Sequence, residues 1–169
     1  MKGFTLVELL VTVAILSVLL MLSHGFSNNF LPKQRLIAKR NALAGFLQYA
    51  RAESVSQGGI HVCDKSTACN GFQKGPLVAF HDSNDNHRQD SGEPTLQILE
   101  TAEGQRIIRN GWGKQDYLYY NAQGALQFQN GHFLICDKNL GTTLVMNWRG
   151  RLKTGLPPAP HSQCMENQS

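Results

Sequence analysis

The chain has 169 residues, 41% of them apolar and 17% charged, with a net charge of +4 and four cysteines. That length allows about one modest domain beyond any membrane segment, and the composition excludes a disordered tail. The mild basic excess permits an anionic partner without requiring one.

The first element runs from Phe4 to Leu22, where Glu8 is the single ionisable residue. The stretch is long enough to cross most of a bilayer as a helix. No small-residue cleavage site follows it, which argues against an ordinary secretory signal peptide. Lys2 on the short side predicts that this end stays in the cytoplasm and the rest lies outside. A carboxylate in hydrocarbon is costly and marks function, so a plain anchor leaves Glu8 unexplained.

Gly25 and Pro32 follow, and Pro32 predicts a kink or interruption. Residues 35–57 have Leu36, Leu43, Phe46, Leu47 and Ala50 at helical spacing, with Lys39, Arg40, Gln48 and Arg51 mostly elsewhere. This predicts an amphipathic helix that packs on a sheet and stops at Gly58-Gly59. Short strands are then predicted at 59–63, 76–80, 95–100, 106–109, 117–120, 124–128, 132–136 and 143–148, separated by Gly, Asn and Asp turns. One long N-terminal helix followed by a run of strands is an α+β arrangement.

Residues 81–94 form a polar loop. Asp82, Asn84 and Asn86 echo a calcium loop, but His87 stands where the glycine belongs and Glu93 is the sole closing ligand, so a solvated turn is the preferred reading. No nucleophile elbow or P-loop spacing occurs, and His24, His61, His81 and His132 read as structural or surface residues. No enzyme activity, cofactor or metal is expected. Cys63, Cys69, Cys136 and Cys164 allow three pairings, and the sequence does not choose among them. A short loop between Cys63 and Cys69, with Cys136 to Cys164 pinning the tail, is favoured. A zinc site lacks any CxxC pair or suitably spaced His. Pro157, Pro158 and Pro160 predict an extended tail.

Arg149, Arg151 and Lys153 alternate, with no acidic residue between Asp137 and Glu166. On a strand they would share one face, roughly 6–7 Å apart. Unopposed cations favour a phosphate backbone, and Gly150 would admit it close to the main chain. Trp148 is read as a core residue, with base stacking as the alternative. The competing reading of the strand is an edge protected by charge.

Lys2-Gly3-Phe4-Thr5-Leu6-Val7-Glu8 resembles the class III signal of type IV pilins and type II secretion pseudopilins. Val62-Cys63 with Cys69, Gly92-Glu93-Pro94 and Phe133 to Asp137 resemble segments of the GspH/FimT/FimU family of minor pilins. Gly150-Arg151-Leu152-Lys153 resembles the GRxR motif of FimT-type members, with Lys153 in place of the second arginine. The resemblance implies a type IV pilin fold, a long N-terminal helix packed on an antiparallel sheet. It implies a leader at 1–3 removed after Gly3 by a prepilin peptidase, N-methylation of Phe4, and a transmembrane and filament-core helix at 4–28. A periplasmic or extracellular domain would occupy 29–169. Glu8 would set subunit register against the Phe4 amine of a neighbouring pilin. The protein would sit in the inner membrane before assembly and then in the pilus. Arg149, Gly150, Arg151 and Lys153, with Lys138 if it folds nearby, would bind extracellular double-stranded DNA for transformation. The alternatives are a structural minor pilin that primes or caps assembly, or a secretion pseudopilin.

Overall fold

The computed structural model describes residues 3, 5–72, 75–111, 113 and 115–165, with the side chains of 22–29 set aside. The chain divides into two compact units, Met1–Arg35 and Leu36–Ser169.

Helix α1 spans Leu6–Gln57, with Pro32 inside it. The helix therefore runs through Pro32 without the expected interruption. Proline removes one N–H from the ladder, and the turns on either side continue around that gap. At its start, Thr5 Oγ1 accepts the Glu8 N–H at 3.3 Å and Thr5 O accepts from Leu9 N at 3.2 Å. This is an N-cap with a glutamate three residues on, the sequence form of a capping box. From Leu6 to Met21 the large apolar side chains are exposed on every side of the helix. A helix apolar all round requires cover from lipid or other helices. Among the described residues, no helix is long and apolar enough to cross a membrane. Phe4, and the side chains of 22–28 within the expected span, lie outside the described residues.

In the second unit α1 turns one face inward: Leu36, Leu43, Phe46, Leu47, Ala50 and Ser54 are buried. The apolar residues among them are the stripe read from the spacing. They meet two antiparallel sheets in one core. The first has the order β3 (Thr95–Leu99), β2 (Leu77–Phe80), β1 (Ile60–Asp64), β5 (Tyr117–Tyr120). The second has the order β4 (Gln105–Gly111), β6 (Gly131–Asp137), β7 (Leu140–Met146), β8 (Leu152–Thr154), with β9 (Ala159–Pro160) also on β7. Ile60, Val62, Leu77, Ala79, Leu118 and Tyr120 share a core cluster with the α1 stripe and with Phe133, Ile135, Leu144 and Met146. Strand alternation sends His61, Cys63, Val78 and Phe80 to the other face of the first sheet. There too they are buried.

The predicted strands are present except 124–128. Asn121 Oδ1 accepts from Gln123 N and Ala125 N, and Gly124 N donates to Asn121 O at 2.8 Å. The segment is spent on a turn, Phe128 takes a positive φ of 55°, and only Leu126 bridges to Tyr120.

Both favoured disulfides are present, Cys63–Cys69 and Cys136–Cys164. The second lays the tail on the second sheet. Contrary to a wholly extended tail, β9 pairs with Leu140 and Gly141, and a one-turn helix, α2 (Ser162–Met165), buries Cys164. Arg106 fixes that helix by donating to Cys164 O at 2.8 Å.

Candidate nucleic-acid interface

The basic segment is a hairpin tip. Strand β7 ends at Met146, and Asn147 starts the turn into β8. Asn147 Oδ1 accepts from Arg149 N at 3.1 Å and Arg151 N at 2.9 Å, while Asn147 O accepts from Gly150 N at 2.9 Å. Asparagine side chains make such turns by bonding their own backbone two residues on. The expectation of three cations on one strand face is thereby corrected. Arg149 sits in the turn, Arg151 at its exit, and Lys153 on β8 opposite Val145. All three are exposed, and none forms an ion pair among the described residues.

Trp148 is also corrected. It is 55% exposed, and the Arg149 guanidinium lies 4.7 Å from the centre of its ring. The indole is held at the surface by a cation–π contact. Its carbonyl accepts from Leu126 N at 2.9 Å, so the turn is pinned to the 121–126 loop.

Gly150 has a different role from admitting a phosphate. It is buried with φ of +70°, and a Cβ there would lie 2.9 Å from Gly124 O, 3.0 Å from Tyr120 Cε1 and 3.1 Å from Arg51 Cδ. Arg51, on α1, donates from Nε to Gly124 O at 2.8 Å and braces both turns. Gly150→Ala should cost about 1–3 kcal/mol through its left-handed backbone and the crowded contact. Urea unfolding of the variant beside the parent checks this.

Lys138 is not part of the patch. It occupies the β6–β7 turn, at the other end of β7, roughly 20 Å along the strand from the hairpin tip. Strand β9 pairs at that same far end, so the described tail leaves the basic hairpin uncovered. Gly3 precedes the helix without regular structure. Glu8 is exposed in the first turn, where a carboxylate complements the helix dipole. The Phe4 site lies outside the described residues.

The calcium-like loop is built otherwise than the sequence suggests. Asp82 is buried and accepts backbone N–H groups of Asn84 and His87. The Asn84 and Asn86 carbonyls accept Asn86 N and Arg88 N. Its oxygens are used to fold the loop over the outer face of the first sheet. There His61 packs among Phe80, Tyr117, Tyr119 and His87. Burial pushes the His61 imidazole down from 6.5 to about 4, against the opposing pull of Asp82. Asp82 itself stays below the usual carboxylate range; burial raises it, and hydrogen bonds from His87 and Asn84 together with His61 outweigh that.

A histidine whose folded pKa is depressed binds fewer protons folded than unfolded, so its contribution to stability is complete above pH 6.5 and is lost as pH falls toward 4. In metal-free buffer the domain should lose on the order of 2 kcal/mol across that window. His61→Phe should flatten the profile, as chemical unfolding at stepped pH would show.

An apolar N-terminal helix whose amphipathic second half packs on antiparallel sheets is the architecture of type IV pilins. Two crystal forms of the type IV minor pilin FimU of Pseudomonas aeruginosa are similar in fold over about three quarters of this chain. The TM-scores are 0.57 and 0.59 at 20% and 21% identity, covering 76% and 80% of this chain and 99% and 98% of theirs. The chain belongs to the GspH family: the model for type II transport protein GspH matches residues 40–150, and the prokaryotic N-terminal methylation motif matches residues 1–23. No curated protein matches it significantly. The family match ends at Gly150, so Arg151 and Lys153 lie beyond it.

Proposed function

We propose that this protein is a non-catalytic minor pilin that captures double-stranded DNA on its β7–β8 hairpin for uptake in natural transformation. The observation that carries the reading is the hairpin tip itself, where Arg149, Arg151 and Lys153 stand exposed beside the exposed ring of Trp148. Cations supply sequence-independent attachment to phosphates, and an aromatic ring adds stacking where a strand opens or frays. Lysine at 153 keeps charge but gives up the bidentate fork of arginine, and Arg149 supplies one instead. Attachment through so few cations is weak per subunit, and multiple copies in a filament raise it through avidity.

The N-terminal segment supports the rest of the reading. Cleavage after Gly3, methylation of Phe4 and burial of 4–28 in membrane or filament would place the globular domain outside the cell. The family's naming for type II transport, and the likeness to a minor pilin, favour a second reading. In it the chain is a structural component that links or primes other pilins, or a secretion pseudopilin, and binds no DNA.

Titration against labelled duplex DNA at several salt concentrations separates the two. The DNA reading predicts binding without strong sequence preference that weakens with salt, and its loss in Arg149→Gln/Arg151→Gln/Lys153→Gln. Three lost phosphate contacts should flatten the log–log salt dependence by about 2.7. Equal or absent binding in both proteins favours the structural reading.

A further inference from the structure

The loop over the first sheet brings three ligand-type atoms to one point. His61 Nε2 lies 3.0 Å from His87 Nδ1, and each nitrogen lies 3.8 Å from Asp82 Oδ2. The carboxylate is too far from either ring for a hydrogen bond. It is held instead by backbone N–H groups, His87 N donating to this same oxygen at 2.7 Å and Asn84 N to the other at 3.3 Å. A point equidistant from the three corners of this triangle is about 2.1 Å from each, the length of zinc bonds to imidazole and carboxylate. From these positions we propose that His61, Asp82 and His87 form a binding site for a divalent transition-metal ion of the zinc class.

The donors are held in place before any ion arrives. His61 is on β1, locked between Phe80 and Tyr119, its side chain 2% exposed; its Nδ1 has no hydrogen-bond partner among the described residues. The Asp82 side chain is fully buried. His87 is stacked on Tyr117 with ring centres 4.2 Å apart and takes φ of +63°. A cavity of about 390 Å³, lined by Asp85, Tyr117, Tyr119 and Gln127 beside the two histidines, opens the outer side. Three protein ligands with one side open is the arrangement in which zinc keeps a water or an external ligand. Two imidazoles and a carboxylate suit a borderline metal, whereas calcium requires six or more oxygens. The ion would tie the 82–87 loop to the central strand of the sheet. This departs from the reading of the loop as a metal-free turn and does not depend on DNA binding.

The test uses the full chain in detergent, stripped with a chelator and then given zinc chloride alone, with calcium chloride as the hard-cation control. Zinc retained after desalting and the unfolding midpoint are both read, beside His87→Ala and Asp82→Asn. His87 is a loop residue with a half-exposed side chain, so its removal spares the core, and circular dichroism in chelator verifies the fold. The site predicts one zinc per chain, a raised midpoint, no response to calcium, and affinity at least about tenfold weaker in His87→Ala. No zinc on the folded parent, or equal zinc on His87→Ala, overturns the proposal; the latter outcome would put the ion on other surface histidines.

Discussion

A Glu8→Val chain should reach the membrane as well as the parent and fail to enter filaments. The exposed, all-round apolar stretch from Leu6 to Met21 gains cover only from lipid or from the same helices of neighbouring subunits. In such a bundle an unpaired carboxylate is penalised heavily, so on the proposed reading subunits would settle in the register that gives Glu8 a cationic partner. On the reading above that partner is the Phe4 amine created by cleavage after Gly3. Valine removes both the penalty and the register. It also takes an acidic side chain from the first turn, a local loss of only about 0.3–1 kcal/mol. Membrane insertion should therefore survive while co-purification with sheared filaments falls to background. Normal incorporation would mean that Glu8 serves as a helix-start residue alone.

Cys136→Ser/Cys164→Ser should lower stability by about 3–4 kcal/mol, the largest single loss expected in the globular unit. The bridge closes a 28-residue separation and is the covalent tie that keeps α2 against β6. The Cys63–Cys69 bridge closes only a separation of 6, so Cys63→Ser/Cys69→Ser should cost less, about 2 kcal/mol. Urea unfolding of the two double variants gives the comparison. The basic hairpin lies at the far end of β7 from β9. If the hairpin binds DNA as proposed, that binding should thus persist in the Cys136/Cys164 variant below its unfolding midpoint. Loss of binding in a folded sample would show that the tail, not the hairpin, makes the contact.

Much of the fold was legible. The spacing of Leu36, Leu43, Phe46, Leu47 and Ala50 marks the buried face of α1, because helical periodicity and burial are the same signal there. The alternation in His61 to Cys63 marks a strand but conceals that both faces are covered, since the cover comes from a loop distant in sequence. Arg149, Arg151 and Lys153 show strand spacing by coincidence. The Asn147-to-Gly150 interval was the better guide, an asparagine and a glycine placed to close a turn. The same turn chemistry overrode the apolar content of 124–128. Thr5 with Glu8 three residues later was a readable capping box beside its functional reading. The cluster of His61, Asp82 and His87 was hidden, because its members are separated by up to 26 positions and only folding brings them together. One trace was visible: His87 occupies a position that a calcium loop would give to glycine, and it indeed adopts positive φ.

On the proposed reading, filament assembly and DNA capture reside in different parts of one chain. Cells lacking the native gene would be complemented with the parent or with Arg149→Gln/Arg151→Gln/Lys153→Gln, and retention of fluorescent duplex DNA on their pili measured alongside pilus number. Piliation should be unchanged, with DNA retention reduced to the level of the deletion strain. Retention equal to the parent, at equal piliation, would contradict it.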